Sequence, residues 1–221
     1  MSVYNNEETI SSSVNSILSQ TYKNFEFLIV DDCSTDLTYE KLKKLQKNDK
    51  RIKLYKNSEN IGLTASLNYL ISKSNFEYIA RQDGDDISVK ERFETQIYYL
   101  DTKKYDFCIT RARIKGTKKN IPRFSIYLPS KAVIKYKNPF IHGTLMIKKN
   151  TLLNLGSYNE SFYYSQDYKL FWELLNKNVK FKYVKNVLYE LNTENNISTN
   201  KKNEQKYYRD CVVKGIDPQQ Y

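Results

Sequence analysis

"FEYIARQDGDDI", residues 76–87, runs an apolar stretch straight into three carboxylates within four positions, Asp83, Asp85 and Asp86. Like charges this close repel one another, and each resists leaving water. A strand entering a core has reason to end this way only where water solvates the cluster or a cation makes the crowding useful. The neighbouring segments decide what kind of sheet the strand joins.

Upstream, "EETISSSVNSILSQ" (7–20) places Ile10, Val14, Ile17 and Leu18 at helical spacing, and "FEFLIV" (25–30) reads as a buried strand. Thr38 to Gln46 is again helical, with Leu42 and Leu45 inward and Asp36 as its cap. "IKLY" (52–55) suits a strand, and Leu63, Leu67, Leu70 and Ile71 mark another helix. Downstream, "VKERFETQIYYL" (89–100) predicts a helix with Phe93, Ile97 and Leu100 inward, followed by strand "YDFCITRA" (105–112). Strands alternating with helices predict an α/β fold with a mainly parallel central sheet flanked by helices. Ligands of such sheets bind at the carboxyl ends of the strands. Asp31-Asp32 ends one strand and Asp83, Asp85 and Asp86 follow another, so both acidic clusters face one crevice.

The second half is less regular. "HGTLMIKK" (142–149) reads as a strand and "NTLLNLG" (150–156) as a short helix ended by Gly156. An amphipathic helix "DYKLFWELLNK" (167–177) precedes the strand-like "VKFKYVKNVLYEL" (179–191). Beyond Asn192 the chain is polar and rich in Lys and Asn.

Composition narrows the class. Tyrosine is abundant, 20 of 221 residues, beside a single histidine, and a compositional bias toward Lys, Asn, Ile and Tyr accounts for it. Cys33, Cys108 and Cys211 are odd in number, far apart and without a nearby His, which excludes a disulfide framework or zinc site. The expectation is a reduced, cytoplasmic protein. No run approaches the roughly 18 apolar residues of a membrane span. Asn196-Ile197-Ser198 matches a glycosylation sequon that carries no weight in such a compartment. The formal charge of +11 admits nucleic acid, an anionic membrane surface or a phosphorylated substrate as partner. Its lysines are spread rather than clustered, as on an ordinary solvated surface.

Four ordered segments resemble glycosyltransferase family 2, whose fold is GT-A and Rossmann-like. They are "SVYNNEETISSSVNSILSQTYKNFEFLIVDDCSTDLT" (2–38), "NIGLTASLN" (60–68), "YIARQDGDDI" (78–87) and "GSYNESFYYSQDYKLFWEL" (156–174). The resemblance covers roughly residues 1–190. It implies a GT-A domain over 1–191, with a nucleotide-binding half of about 1–112 and an acceptor half of about 113–191. Residues 192–221 then form a polar basic tail.

The chemistry this implies needs particular residues. A nucleotide sugar leaves behind a diphosphate bearing extra negative charge, which a divalent cation, Mn²⁺ or Mg²⁺, stabilises. One or two carboxylates and the phosphates satisfy such an ion. Asp83 and Asp85 stand at i and i+2, where extended side chains point the same way. Gly84 between them lets a phosphate or sugar approach the backbone. The family's DxD pattern makes Asp85 the metal ligand and puts Asp83 near the ribose or a metal-bound water. It also assigns Asp32 to the nucleobase, expected to be uracil, with Tyr4 stacking on the ring, and sets Ser2 and Asn60 beside the donor. Arg81 offers donors to the diphosphate, or an ion pair to the neighbouring acids. Asp167 matches the family's acidic residue that takes the acceptor's proton, with Gln166 where a Glu is usual. It also opens a helix, where a carboxylate caps. Phe162, Tyr163 and Tyr164 read as a sugar-stacking face or as core, and Trp172 as core. His142 reads as a structural histidine, with a place beside the acceptor as the alternative.

Two departures stand out. Relatives begin with an apolar strand before the position of "MSVYN", so the first strand is expected to be truncated and the true start to lie a few codons upstream. Near "YELNTENNIS" (189–198) relatives carry Arg and His, where this chain has Glu190, Leu191 and Asn192. A donor contact then has to come from Arg81 or a tail lysine. The resulting expectation is a metal-assisted, inverting transferase that moves a sugar from a UDP-sugar to a glycan or lipid-linked saccharide at the inner face of the membrane. A non-catalytic sugar- or nucleotide-binding module is the alternative. A basic nucleic-acid-binding α/β protein is the weaker one, since only "KKNEQKYYR" (201–209) interleaves cations with aromatics.

Overall fold

The computed structural model describes residues 1–194 and 201–219. The first half alternates as its periodicity predicts. β1 (Ser2–Val3), α1 (Ile10–Leu18), β2 (Phe27–Asp31), α2 (Thr38–Asn48) and β3 (Ile52–Lys56) form a parallel three-stranded sheet in the order β1-β2-β3. Phe27, Ile29 and Val30 are buried, because a parallel strand covered on both faces cannot alternate apolar with polar. Ile10, Val14 and Ile17 of α1 pack into the same core. Asp36 accepts the Thr38 N–H at 2.9 Å and so caps α2.

α3 (Gly62–Lys73) leads to β4 (Tyr78–Ala80), the acidic loop, β5 (Ile87–Ser88) and α4 (Arg92–Ile97), which continues as a π-helical turn over Tyr98–Thr102. β6 (Phe107–Ile114), β7 (Asn120–Ile121), α5 (Ser130–Val133), β8 (Met146–Lys148), α6 (Lys149–Asn154), α7 (Gln166–Asn176) and β9 (Phe181–Leu191) complete the domain. The second sheet runs β4-β8-β6-β9-β5, with β7 on β6. Only its β6–β9 pair is parallel; β4–β8, β6–β8, β6–β7 and β5–β9 are antiparallel. The α/β class holds, and the sheet as a whole is mixed. The short turn 115–119 returns β7 antiparallel to β6, whereas helical crossovers in the first half force parallel pairing.

β1 is two residues long. The Met1 ammonium donates to the Leu28 carbonyl at 2.9 Å, and burial, with Arg81 nearby, lowers its pKa to about 4. An apolar cavity of about 140 Å³ lies beside it, lined by β2 (Phe27), β4 (Ile79), Leu67 and Met146.

The segment expected to be a polar tail is a helix over part of its length, α8 (Lys202–Lys214). Tyr208, Cys211 and Val212 are buried with Leu170, Leu174 and Phe162 in one core cluster. Three apolar side chains at helical spacing among many lysines suffice to dock it. The sequon lies outside the described residues. No helix among the described residues is long and apolar enough to cross a membrane.

Candidate active site

The acidic loop leaves β4 and passes over the end of α1, whose serines hold it. Ser13 Oγ donates to the Asp83 carbonyl at 2.7 Å, Thr9 Oγ1 to the Gly84 carbonyl at 3.1 Å, and Ser88 N–H to Ser16 Oγ at 3.1 Å. Gln82 is buried and donates to Ser13 Oγ and the Asp86 carbonyl. The serine run in "ISSSVNSIL" is therefore a template for the loop, since short hydroxyls let the helix approach a backbone and bond to it.

Arg92 braces the other side. It is fully buried, with Nη1 on the Gly143 carbonyl and Nη2 on the Arg81 carbonyl, both at 2.9 Å. Burial lowers its pKa to about 10, so it stays charged at neutral pH. A Cβ on Gly143 would lie 2.4 Å from Tyr189 Oη and 2.8 Å from Asp83 Oδ2, so only glycine lets that turn reach the loop. Gly84 serves packing in the same way. A Cβ there would meet Val3 Cγ1 at 2.8 Å and Asn6 Oδ1 at 2.9 Å. The Cβ direction is occupied by β1 and the turn after it, while Gly84 still borders the cavity at the strand ends.

The residues assigned from the sequence to donor, metal, acceptor and base line one cavity of about 970 Å³. Ser2, Tyr4, Asp32, Asn60, Arg81, Asp83 and Asp85 stand on its strand-end wall, and His142, Tyr164, Gln166 and Asp167 across from them.

Their partners differ. Arg81 is buried and pairs with Asp83, while its Nε and Nη1 have no hydrogen-bond partner. The ion pair and the free donors thus coexist on one guanidinium. Asp86 accepts the Asn192 N–H at 2.7 Å. Asp85 accepts from Asn192 Nδ2 at 3.4 Å. Burial and the charge of Asp83 raise the pKa of Asp85, and burial with Asp83 and Asp85 raises that of Asp86. Arg81 compensates part of the loop's charge by pairing with Asp83, and the hydrogen bond to Asp85 is the long one.

No group of three or more His, Cys, Asp or Glu that could hold a metal ion exists among the described residues. The donor set fits an oxygen-seeking ion bound by one or two carboxylates together with a ligand's phosphates.

Asp32 is more occupied than expected. Asn57 Nδ2 (2.8 Å) and the Ile61 N–H (3.0 Å) donate to Oδ1, and the Gly62 N–H (2.9 Å) donates to Oδ2. It organises the entry to α3, and Oδ2 retains room for one more donor. Tyr4 is 48% exposed at the rim.

Asp167 sits in the first turn of α7, after Ser165 in the left-handed region (φ 56°). Burial raises its pKa, while the N–H groups of Tyr168 and Asp167 and the amide of Asn138 lower it. Asn138 Nδ2 donates to Oδ2 at 2.8 Å. His142 Nε2 lies 2.7 Å from Tyr158 Oη, and burial and Arg81 push its pKa well down. It is a neutral, satisfied histidine on the cavity wall. Phe162 is core, Trp172 stacks at 6.1 Å on Tyr168, and Tyr163 and Tyr164 line the cavity.

The sequence reading named Asn192 only as a departure from the family pattern and the cations of 201–209 only as a tail, and it passed over Asn138 and Lys137. These residues, with Gln205, line the cavity, the tail cations being Lys202, Lys206 and Arg209. The spacing of Lys202, Lys206 and Arg209 was the one signal available. Nothing local distinguishes Asn138 or Asn192.

Strand-end carboxylates facing a helix-borne Asp across one cavity define a GT-A type domain. The solved structures it is similar to are of that type. S. aureus TarS 1-349 superimposes with a TM-score of 0.76 over 99% of this chain and 65% of that one, at 19% identity. The mannosyltransferase PcManGT from Pyrobaculum calidifontis, in complex with GDP-Man and Mn²⁺, gives 0.78 over 99% and 63%, at 17% identity. Such identities speak for the fold.

Within that class the chain belongs to glycosyl transferase family 2, whose profile matches residues 1–178. It is 36% identical over 171 residues to EpsE of Bacillus subtilis, covering 72% of this chain and 58% of that protein. With the Escherichia coli UDP-Glc:alpha-D-GlcNAc-diphosphoundecaprenol beta-1,3-glucosyltransferase WfgD it shares 33% over 180 residues, 80% of this chain and 69% of that one. The chain thus spans between about half and three quarters of the length of such curated relatives.

Proposed function

We propose that this protein is an inverting glycosyltransferase that moves a sugar from a nucleotide sugar, a UDP-sugar first, to a hydroxyl of a glycan or lipid-linked saccharide. One observation carries the reading: the Asp83–Asp86 loop and Asp167 open into the same cavity. Complexes of TarS with UDP and with UDP-GlcNAc and the printed activity of WfgD support the donor class. Residues 1–112 form the nucleotide-binding half and 113–191 the acceptor half.

Asp85, with Asp83 beside it, would hold a divalent ion, which when bound supplies charge stabilisation to the departing diphosphate. Arg81, held against Asp83, adds positive charge beside the same anion. Tyr4 covers the base, and the free lone pair of Asp32 Oδ2 accepts from it. Asp167 takes the proton of the attacking hydroxyl. Its raised pKa brings it closer to neutrality, which favours a general base. The α1 serines and Arg92 hold the loop before any ligand arrives. One base and one displacement invert the anomeric centre without a protein nucleophile.

The test is nucleotide release from UDP-, GDP- and dTDP-sugars with Mn²⁺, across saccharide acceptors. Asp167→Asn should lower kcat by about 10²–10⁴-fold while donor affinity holds. Asp85→Ala should abolish metal-dependent UDP binding in calorimetry. Turnover by Asp167→Asn at the native rate, or UDP binding indifferent to chelator, overturns the reading.

A further inference from the structure

α8 presents Lys202, Lys206 and Arg209 at i, i+4 and i+7, one helical face, and that face lines the cavity together with Lys137. Tyr208, Cys211 and Val212 are buried on the other side, so packing fixes which way the cations point. The face is tied to the flanks of Asp167 and not to the strand-end acids. Ser165, two residues before Asp167, places its hydroxyl 2.7 Å from Gln205 Oε1 and 3.0 Å from the Gln205 carbonyl. Lys137 precedes Asn138, which donates to Asp167. Arg209 holds Asp210 through Nε and Nη2, at 3.2 and 2.8 Å. Among the described residues, Lys137, Lys202 and Lys206 have no ion-pair partner.

A group attached to the acceptor must therefore pass these cations whenever its hydroxyl reaches Asp167. Lys202 to Arg209 spans about 10 Å along the helix axis. A neutral saccharide would leave the three lysines unmatched. A phosphate or diphosphate would offer several oxygens to lysine and arginine donors at once. The donor's own diphosphate belongs to the opposite wall, beside Asp85 and Arg81.

We propose that Lys137 and the Lys202/Lys206/Arg209 face form an anion subsite for the acceptor, which takes a phosphate or diphosphate joined to the acceptor sugar. The proposal rests on the glycosyltransferase reading of the cavity.

Calorimetry on the full chain in excess chelator, which removes any metal-dependent diphosphate site, tests it with three probes. These are octyl N-acetylglucosaminyl diphosphate, octyl N-acetylglucosaminide and inorganic pyrophosphate. The native protein should bind the octyl sugar diphosphate at least about tenfold more tightly than the octyl sugar, since several charge contacts act together. Lys202→Ala/Lys206→Ala/Arg209→Ala should erase that difference while leaving metal-dependent UDP binding and the thermal midpoint in place. Lys206→Glu alone, at an exposed position, should give a partial loss. Equal affinity of the native protein for both octyl ligands, or discrimination surviving in the triple variant, overturns the proposal. Pyrophosphate binding as tightly as the sugar diphosphate overturns it in favour of a free-phosphate site. Loss of binding to anionic phosphatidylglycerol vesicles with acceptor discrimination intact overturns it in favour of a membrane surface. If no donor supports transfer yet metal-free discrimination holds and is lost in the triple variant, the transferase reading fails while the anion subsite stands.

Discussion

On the strand-end wall of the cavity, residues 81–88 are fixed by hydrogen bonds from Thr9, Ser13 and Arg92 and by the Ser88 N–H donated to Ser16. On the helix wall, Lys137, Tyr163, Lys202 and Lys206 are exposed. Two polar links, Asn138 to Asp167 and Ser165 to Gln205, hold that wall around the carboxylate. The first wall offers backbone and carboxylates in one arrangement; the second offers long side chains that can reposition. The contrast follows from what each wall meets. A diphosphate with its ion is a small, invariant group that rewards fixed geometry. An acceptor chain varies, and adaptable lysines accommodate it.

The largest test of this contrast is Arg92. Arg92→Leu leaves the carbonyls of Arg81 and Gly143 without their donor. Each orphaned buried group costs about 1–3 kcal/mol, so a total loss on the order of 2–6 kcal/mol is expected from denaturant titration. Lys206→Leu, at an exposed position, should stay within about 0.5 kcal/mol. Comparable losses for both would mean that the two walls are not built differently after all.

The same contrast explains what was legible in the sequence. The strand-end wall is encoded locally. Asp83, Asp85 and Arg81 follow one apolar strand, and a reader of period and polarity finds them. Asp167 is likewise announced by the helix it opens. The sheet's mixed direction was not legible, because the antiparallel returns of β8 and β5 depend on pairings made across the chain. The packing role of Gly84 was not legible for a related reason. Sequence shows a small residue between two acids, and only the fold shows Val3 and Asn6 above it. Asn192 and Asn138 reach the site from loops without periodicity. The apolar stripe of Tyr208, Cys211 and Val212 was present in the sequence, and the surrounding lysines concealed it.

Gly84→Ala is the next largest effect. Overpacking a fixed site costs about 1–3 kcal/mol, and the clash falls on β1 and the loop itself. Thermal stability should drop, and UDP affinity should fall further than stability alone explains, since the loop must shift to admit the methyl. A variant with native stability and native UDP affinity would show that this wall gives way more readily than its hydrogen bonds suggest.

The smallest effect is the most selective. Asp167 must be ionised to accept a proton, and its carboxyl is already raised by burial, with Asp83 pushing the same way. Activity therefore falls as pH falls through that raised pKa. Asn138 stabilises the ionised form, so Asn138→Ala should move the acid limb of kcat/KM to higher pH. A lost hydrogen bond to a charged group predicts a shift of about one to two pH units. The folded state's preference for the protonated acid grows in the variant, so its stability deficit should appear above the limb and vanish below it. Arg81, Lys137, Lys202, Lys206 and Arg209 share the cavity, and His142 is held neutral by burial. Asp85 and Asp86 also titrate high, but Asn138 does not touch them, so a limb that moves with Asn138 belongs to Asp167. An acid limb unmoved by the substitution would assign it to the strand-end acids and leave the helix wall without the proton acceptor.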